Sequence, residues 1–222
     1  MMQISACIFD LDGVIVDTAK YHYLAWKRLT DQLGIHFTAK DNERLKGVSR
    51  MASLEIILEI GNKNIDESQK LKYATLKNSW YIDYIGKMTP ADILPGCLEF
   101  ITELKNAGIR TAIGSASKNT PRILERVGIM NLFDAVADGN IVSRAKPDPE
   151  VFIKAAEMIQ VKPANCVVFE DAVAGVQAAH NAGMVCIGIG SPRILTEAHF
   201  VVPGLYMMNI TKLMSIKKEI RV

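Results

Sequence analysis

Five short stretches of the chain are almost continuously apolar: Ala6–Leu11, Thr111–Gly114, Ala135–Ala137, Cys166–Phe169 and Val185–Ile189. A half-buried strand alternates apolar and polar residues, whereas these runs of Ile, Val, Cys, Phe and Ala predict strands covered on both faces. Helical stripes separate the later ones. Leu98, Ile101 and Leu104 recur before Gly108, and Val151, Phe152, Ala155, Ala156 and Ile159 follow Pro147 and Pro149. Val173, Val176, Gln177 and His180 lead to Gly183, a helix stop. Strands alternating with helices predict an α/β fold, a doubly wound, Rossmann-like parallel sheet. Ligands of such sheets bind at the carboxyl ends of the strands.

The stretch 17–87 breaks this rhythm. It shows no strand pattern but several helical stripes: Leu24, Ala25, Leu29; Leu54, Ile57, Leu58; and Leu71, Ala74, Trp80, Tyr81, Tyr84. A helical insertion directly after the first strand is expected, with the α/β pattern resuming after Pro90 and Pro95. The expected division is a core of residues 1–16 and 88–222 with a helical cap of residues 17–87.

Composition narrows the partners. Lys plus Arg number 26 against 24 Asp plus Glu, a net charge of +2, which argues against a protein built to grip nucleic-acid phosphates. No apolar run reaches the roughly 18 residues that a membrane span needs, and the first residues lack the features of a signal peptide. A cytoplasmic protein without membrane or nucleic-acid partners is expected. Cys7, Cys97, Cys166 and Cys186 are widely spaced, with no metal-binding pattern, and three lie in apolar runs, so buried free thiols are expected.

The chemistry gathers at the strand ends. Asp10 and Asp12 leave the first strand at i and i+2, the spacing that turns two side chains to one face, and Gly13 permits a turn. Two carboxylates so placed repel unless a cation or a shared proton offsets them. Ser115-Ala116-Ser117-Lys118-Asn119 follows the second strand and opens a helix, offering hydroxyls and N–H groups to an anionic oxygen. Lys146 precedes Pro147 after the third strand. Glu170 and Asp171 follow the fourth, and acids without Cys or His suit a hard cation such as Mg²⁺. Alone, each of these is matched by a bland alternative: an Asp-x-Asp turn, a Ser/Asn helix cap or a solvated lysine. Together they supply a carboxylate nucleophile, a second carboxyl for proton transfer, and cations to neutralise phosphoryl oxygens.

With these motifs the chain resembles the haloacid dehalogenase (HAD) superfamily of phosphotransferases with a helical cap. Asp10-Leu11-Asp12-Gly13, Ser115, Lys146-Pro147 and Glu170-Asp171 are its core motifs. Asp17–His22, Leu45–Arg50 and Ser115–Asn119 are similar to the branch that moves phosphate between positions of a hexose. The resemblance implies that Asp10 carries an aspartyl phosphate and that Asp12 is general acid and base. It implies one Mg²⁺ held by Asp10, Glu170, Asp171 and the Asp12 carbonyl, and Ser115 and Lys146 on the transferring phosphoryl group. Thr18 and His22 would position Asp12 at the junction with the cap, His22 also meeting substrate. Lys46, Gly47, Val48, Arg50 and Lys77 of the cap would contact substrate, with Ala116, Ser117, Lys118 and Asn119 of the core. Lys46–Arg50 is expected as a turn before a helix that begins near Met51. Ala172 departs from the many relatives that carry a hydroxyl there, which removes a possible hydrogen bond near the metal but no ligand.

The activity implied is interconversion of β-D-glucose 1-phosphate and glucose 6-phosphate, with β-glucose 1,6-bisphosphate as priming intermediate; with no obvious apolar patch in the sequence, a monomer is expected. Arg50, able to grip phosphate bidentately, would hold the phosphate that is not reacting. A sugar-phosphate phosphatase on the same scaffold is the nearer alternative, and a non-enzymatic, receiver-like phospho-switch the remote one. A receiver needs neither a cap nor Asp12.

Overall fold

In the computed structural model, which describes residues 4–219, the first strand becomes the middle of the sheet. β1 (Ala6–Phe9) is followed by four helices, α1 (Ala19–Gln32), α2 (Ala39–Glu43), α3 (Arg50–Ile60) and α4 (Glu67–Ile85). The chain then runs through α5 (Cys97–Asn106), β2 (Arg110–Gly114), α6 (Thr120–Arg126), β3 (Ala135–Ala137), α7 (Glu150–Met158) and β4 (Cys166–Glu170). It closes with α8 (Val173–Asn181), β5 (Val185–Ile189), β6 (Phe200–Val202) and α9 (Ile210–Glu219). The strands form one sheet in the order β3-β2-β1-β4-β5-β6, and every pairing is parallel. The outermost expected residues, 1–3 and 220–222, lie outside the described residues.

Successive residues of β1 feed opposite faces of the sheet, which is why its sequence is apolar without alternation. Cys7 and Phe9 join Ile113, Val167, Phe169 and Ile187 in one core. Ala6 and Ile8 join Ala112, Cys166, Val168 and Cys186 in the other. Phe9 stacks on Phe169 at 4.8 Å and meets Phe100 and Phe133 edge-on at 6.2 and 6.3 Å. All four cysteines are buried and free. Among the described residues no helix is long and apolar enough to cross a membrane.

The helical insertion leaves and rejoins the sheet through paired segments. Val16 and Ile93 form an antiparallel bridge, and the Asp17 N–H donates to the Asp92 carbonyl at 3.0 Å. Local chemistry sets the helix starts. Ser49 caps α3 by accepting from the Ala52 N–H, and Asp66 and Gln69 close a capping box on α4. Helices α1 and α4 pack side by side.

Several expectations need correction. Leu24, Leu71, Leu98 and Val173 are exposed; the buried positions beside them are Trp26, Cys97, Phe100 and the small residues Gly175, Ala178 and Ala179. A stripe drawn on large residues alone misses faces buried by small ones. His180 is also exposed, stacked on His199 at 4.6 Å. β6 and α9 were not legible either: Phe200-Val201-Val202 is a three-residue edge strand that stops before Pro203.

Phe9→Ala should cost about 3–5 kcal/mol of unfolding free energy, the range for a buried phenylalanine. Leu24→Ala should change it by less than about 0.5 kcal/mol, since the side chain already faces water. Urea denaturation of the two variants checks both.

Candidate active site

The carboxyl ends of β1, β2, β3 and β4 bring their loops to one edge of the sheet, and the helical insertion stands over them. Between lies a cleft of about 450 Å³, within the range of small-ligand pockets. Asp10 and Asp12 line its floor, with Lys146, Asp171 and the segment 116–119; Thr18, His22, Lys46, Gly47, Val48, Arg50 and Lys77 line the opposite wall. The strand ends and cap segments singled out in the sequence therefore converge. Ser115 and Glu170 lie just beneath the surface, both buried. The Ser115 hydroxyl accepts from the Ser117 N–H at 3.1 Å.

Lys146 organises the floor. Its ammonium is fully buried and donates to Asp10 Oδ1 at 2.5 Å and Glu170 Oε2 at 2.8 Å. Burial alone would lower its pKa, but Asp10 and Glu170 raise it above the ordinary amine range. The Lys146–Pro147 peptide is cis. Glu170 also accepts from the Ala172 N–H at 3.1 Å.

Acids outnumber this one lysine. Burial first, then Asp10 and Asp171, push Glu170 up to about 8 despite Lys146. Burial and Asp10 push Asp171 up to about 7. Asp10, Glu170 and Asp171 each place a carboxylate oxygen within 4.8 Å of the others. An all-oxygen, crowded anionic set fits a hard divalent cation, whose charge would relieve the repulsion. Gly13, at φ 82°, lets Asp171 approach: a Cβ there would lie 2.3 Å from Asp171 Oδ2. The Asp12 carboxylate stands outside the trio and accepts a hydrogen bond from the Thr18 hydroxyl. Burial and Asp10 push it up to about 6, against the pull of Thr18.

The helical wall carries the opposite charge. Lys77 is buried, its ammonium donating to His22 Nδ1 at 3.1 Å and lying 4.6 Å from the ring centres of both Trp26 and Tyr81. Burial, Arg50 nearby and only partial relief from Asp12 bring Lys77 down to about 7. Burial, Lys77 and Arg50 hold His22 well below the usual imidazole range, so Nδ1 is free to accept. Among the described residues no carboxylate lies within ion-pair distance of Arg50, Lys77 or Lys118.

The wall is seated on the floor. Lys46 reaches Asp171 Oδ2 at 3.6 Å, and Asn119 donates to Asn78 Oδ1 at 3.0 Å. Gly47, at φ 72°, rests so near the core that a Cβ there would lie 2.9 Å from the Ala172 methyl. Ala172 therefore faces the cap loop. Arg50 is the first residue of α3 rather than part of the preceding turn, because Ser49 supplies the cap. The segment 115–119 opens α6 as expected, with Asn119 at the N-cap position and the helix starting at Thr120.

Trp26, Asn42 and Tyr81 also line the cleft, and sequence reasoning did not place them there. A signal existed: His22 and Trp26 on α1, and Lys77 and Tyr81 on α4, each stand at the i, i+4 spacing that shares a helix face.

The chain belongs to the haloacid dehalogenase-like hydrolase family, whose model matches residues 4–183. It is 44% identical over 199 residues to the β-phosphoglucomutase of Bacillus subtilis, covering 89% of this chain and 88% of the relative. The crystal structure of β-phosphoglucomutase from Clostridium difficile superposes with a TM-score of 0.93 at 41% identity, over 98% of each chain. A phosphorylated carbohydrates phosphatase of Thermotoga maritima is 28% identical over 217 residues, 96% of this chain and 94% of that one.

Gly47→Val should hold the cap loop away from the core edge, through both its positive φ and the collision with Ala172. Limited proteolysis should cut the 44–50 segment faster than in the parent chain, with helical circular dichroism unchanged.

Proposed function

We infer that this chain is an intramolecular phosphotransferase that interconverts β-D-glucose 1-phosphate and glucose 6-phosphate through β-glucose 1,6-bisphosphate. The observation that carries this is the charge division of the cleft. An acidic pole around Asp10 faces Arg50 and Lys77 on the opposite wall, neither of which has a carboxylate within ion-pair distance among the described residues. A substrate with a phosphate at each end answers both poles, and can be bound in either orientation. The identities support the same activity, 44% to a named β-phosphoglucomutase against 28% to a named phosphatase.

In this reading Asp10 attacks the phosphorus of the bisphosphate, and the bond from phosphorus to the sugar oxygen breaks. Asp12 gives its proton to that oxygen. The sugar monophosphate turns end for end, its other hydroxyl attacks the aspartyl phosphate, and Asp12 takes the proton back. A pKa near 6 leaves Asp12 able to hold and to release a proton near neutrality. Lys146 and Ser115 hold the transferring oxygens, while Arg50, Lys118 and Asn119 hold the distant phosphate. Lys46, Gly47, Val48 and Lys77 close over the sugar with Ala116 and Ser117, and Thr18 and His22 keep Asp12 in place. Asp10, Glu170, Asp171 and the Asp12 carbonyl would hold Mg²⁺, which supplies charge neutralisation at the phosphoryl oxygens. The reading includes a core of residues 1–16 and 88–222 and a cap of residues 17–87, acting as a cytoplasmic monomer on small sugar phosphates.

Supplying β-glucose 1-phosphate, Mg²⁺ and a trace of the bisphosphate should yield glucose 6-phosphate well ahead of free phosphate. Predominant free phosphate would establish the phosphatase alternative instead. Asp10→Asn should abolish turnover and leave no phosphoenzyme, because an amide is a poor nucleophile.

Arg50→Ala should lower mutase kcat/KM by on the order of 10²-fold or more, from loss of a charge-assisted pair of hydrogen bonds. Arg50→Lys should recover part of this. Consumption of acetyl phosphate, which needs only the core pole, should stay near that of the parent chain. A parallel fall of both activities would make Arg50 a support of the cap rather than a phosphate ligand.

A further inference from the structure

Two loops leave adjacent strands side by side. Gly114 of β2 pairs with Ala137 of β3, so the segment 115–119 runs next to Asp138, Gly139 and Asn140. These three residues grip it by its carbonyl oxygens. The Gly139 N–H donates to the Ser117 carbonyl at 3.4 Å, and Asn140 Nδ2 donates to the Lys118 carbonyl at 3.0 Å. Gly139 also lies close against the segment. A Cβ there would come within 2.5 Å of the Ala116 carbonyl oxygen and 3.0 Å of Lys118 Cγ.

Asp138 aims this grip. It is buried, and among the described residues no lysine or arginine pairs with it. A buried carboxylate needs donors, and Asn140 supplies them to both oxygens. Its N–H reaches Oδ1 at 2.8 Å and its Nδ2 reaches Oδ2 at 3.0 Å. A side-chain amide nitrogen has two protons. One goes to Asp138 and the other to the Lys118 carbonyl, so only one setting of the Asn140 amide satisfies both acceptors. Neither Asp138 nor Asn140 lines the cleft, whereas Lys118 and Asn119 do. We propose that Asp138, Gly139 and Asn140 form a clasp in which Asn140 is a positioning residue for the segment 116–119, a role that rests on the reading of that segment as a holder of the distant phosphate. A phosphate is drawn to N–H groups and ammonium and repelled by carbonyl oxygens. The clasp engages the Ser117 and Lys118 carbonyls, which keeps those oxygens from the anion and fixes the backbone that carries Lys118 and Asn119.

The experiment compares Asn140→Ala, Asn140→Asp and Lys118→Ala in the full chain. Binding of β-glucose 1,6-bisphosphate is titrated calorimetrically with Mg²⁺ present, each variant being combined with Asp10→Asn so that nothing turns over. Asn140→Ala should weaken binding about tenfold, the cost of freeing a carbonyl beside the anion. Asn140→Asp keeps the shape but sets an oxygen against two acceptors, so its loss should be at least as large. With Asp10 restored, both Asn140 variants should consume acetyl phosphate with kcat and KM within about twofold of the parent, since that donor needs only the core pole. Asn140 is exposed, so the thermal midpoint should move by no more than about 2 °C. Amide hydrogen exchange in peptides spanning 114–120 should quicken, with β1 and β4 unchanged. Full bisphosphate affinity in Asn140→Ala, beside a loss in Lys118→Ala, would overturn the clasp alone. So would wild-type affinity in Asn140→Asp, unaltered exchange over 114–120, or a parallel fall of midpoint and acetyl phosphate consumption. If Lys118→Ala itself binds the bisphosphate as the parent does, the reading of the segment as a phosphate holder fails, and the clasp falls with it.

Discussion

The ammonium of Lys146, enclosed between Asp10 and Glu170, is the contact on which the rest of the molecule depends. It joins the ends of β1 and β4 to the loop after β3, three segments that meet only because the sheet is wound around β1. Removing any one partner would strand a buried charge, which costs more than the pair contributes. The same lysine is too little for the acids it faces. Glu170 and Asp171 are both driven up by burial and by the charge of Asp10. The floor is thus a stable frame with an unmet demand for positive charge, the condition that favours a hard cation and a phosphoryl group together.

Much of this frame was legible in the sequence, because its signals are local. Continuous apolar runs mark strands buried on both faces, and the motif ending each run travels with it, so Asp10, Asp12, Ser115, Lys146, Glu170 and Asp171 could be assigned to one edge. Less legible was whatever depends on contacts between distant elements. Leu24 and Leu71 look like core residues in a helical stripe, yet both are exposed, and Leu71 faces the cleft. Tyr81 and Trp26 look like ordinary core aromatics, and only the packing of α1 on α4 reveals that they enclose an ammonium. The three-residue strand β6 carries too little pattern to stand out, since its place is decided by β5 beside it.

The two walls of the cleft divide the chemistry. The floor supplies carboxylates and one buried lysine held at the strand ends of the sheet. The helical wall supplies cations, aromatic rings and the Gly47 loop, joined to the core by the paired segments at Val16 and Ile93. Contacts between the walls include the Thr18 hydroxyl on Asp12, an amide pair at Asn78 and Asn119, Lys46 against Asp171, and Gly47 on Ala172. Such contacts are strong enough to define a closed arrangement and weak enough to be exchanged for contacts with a ligand. The Ala172 methyl gives the loop an apolar seat.

The position of β1 also governs how the chain is made. Ala6 pairs with Arg110 on one side and with Cys166 on the other, so the strand that leaves the ribosome first finds its neighbours late. The four helices that follow it, with α1 and α3 packed on α4, are complete by Ile85. During synthesis these helices therefore precede a sheet whose centre is still waiting, and long-range parallel pairing of this kind is slow and exposes strand edges. The very winding that gathers six polar residues at one edge leaves β1 open on one side until β4 has been made.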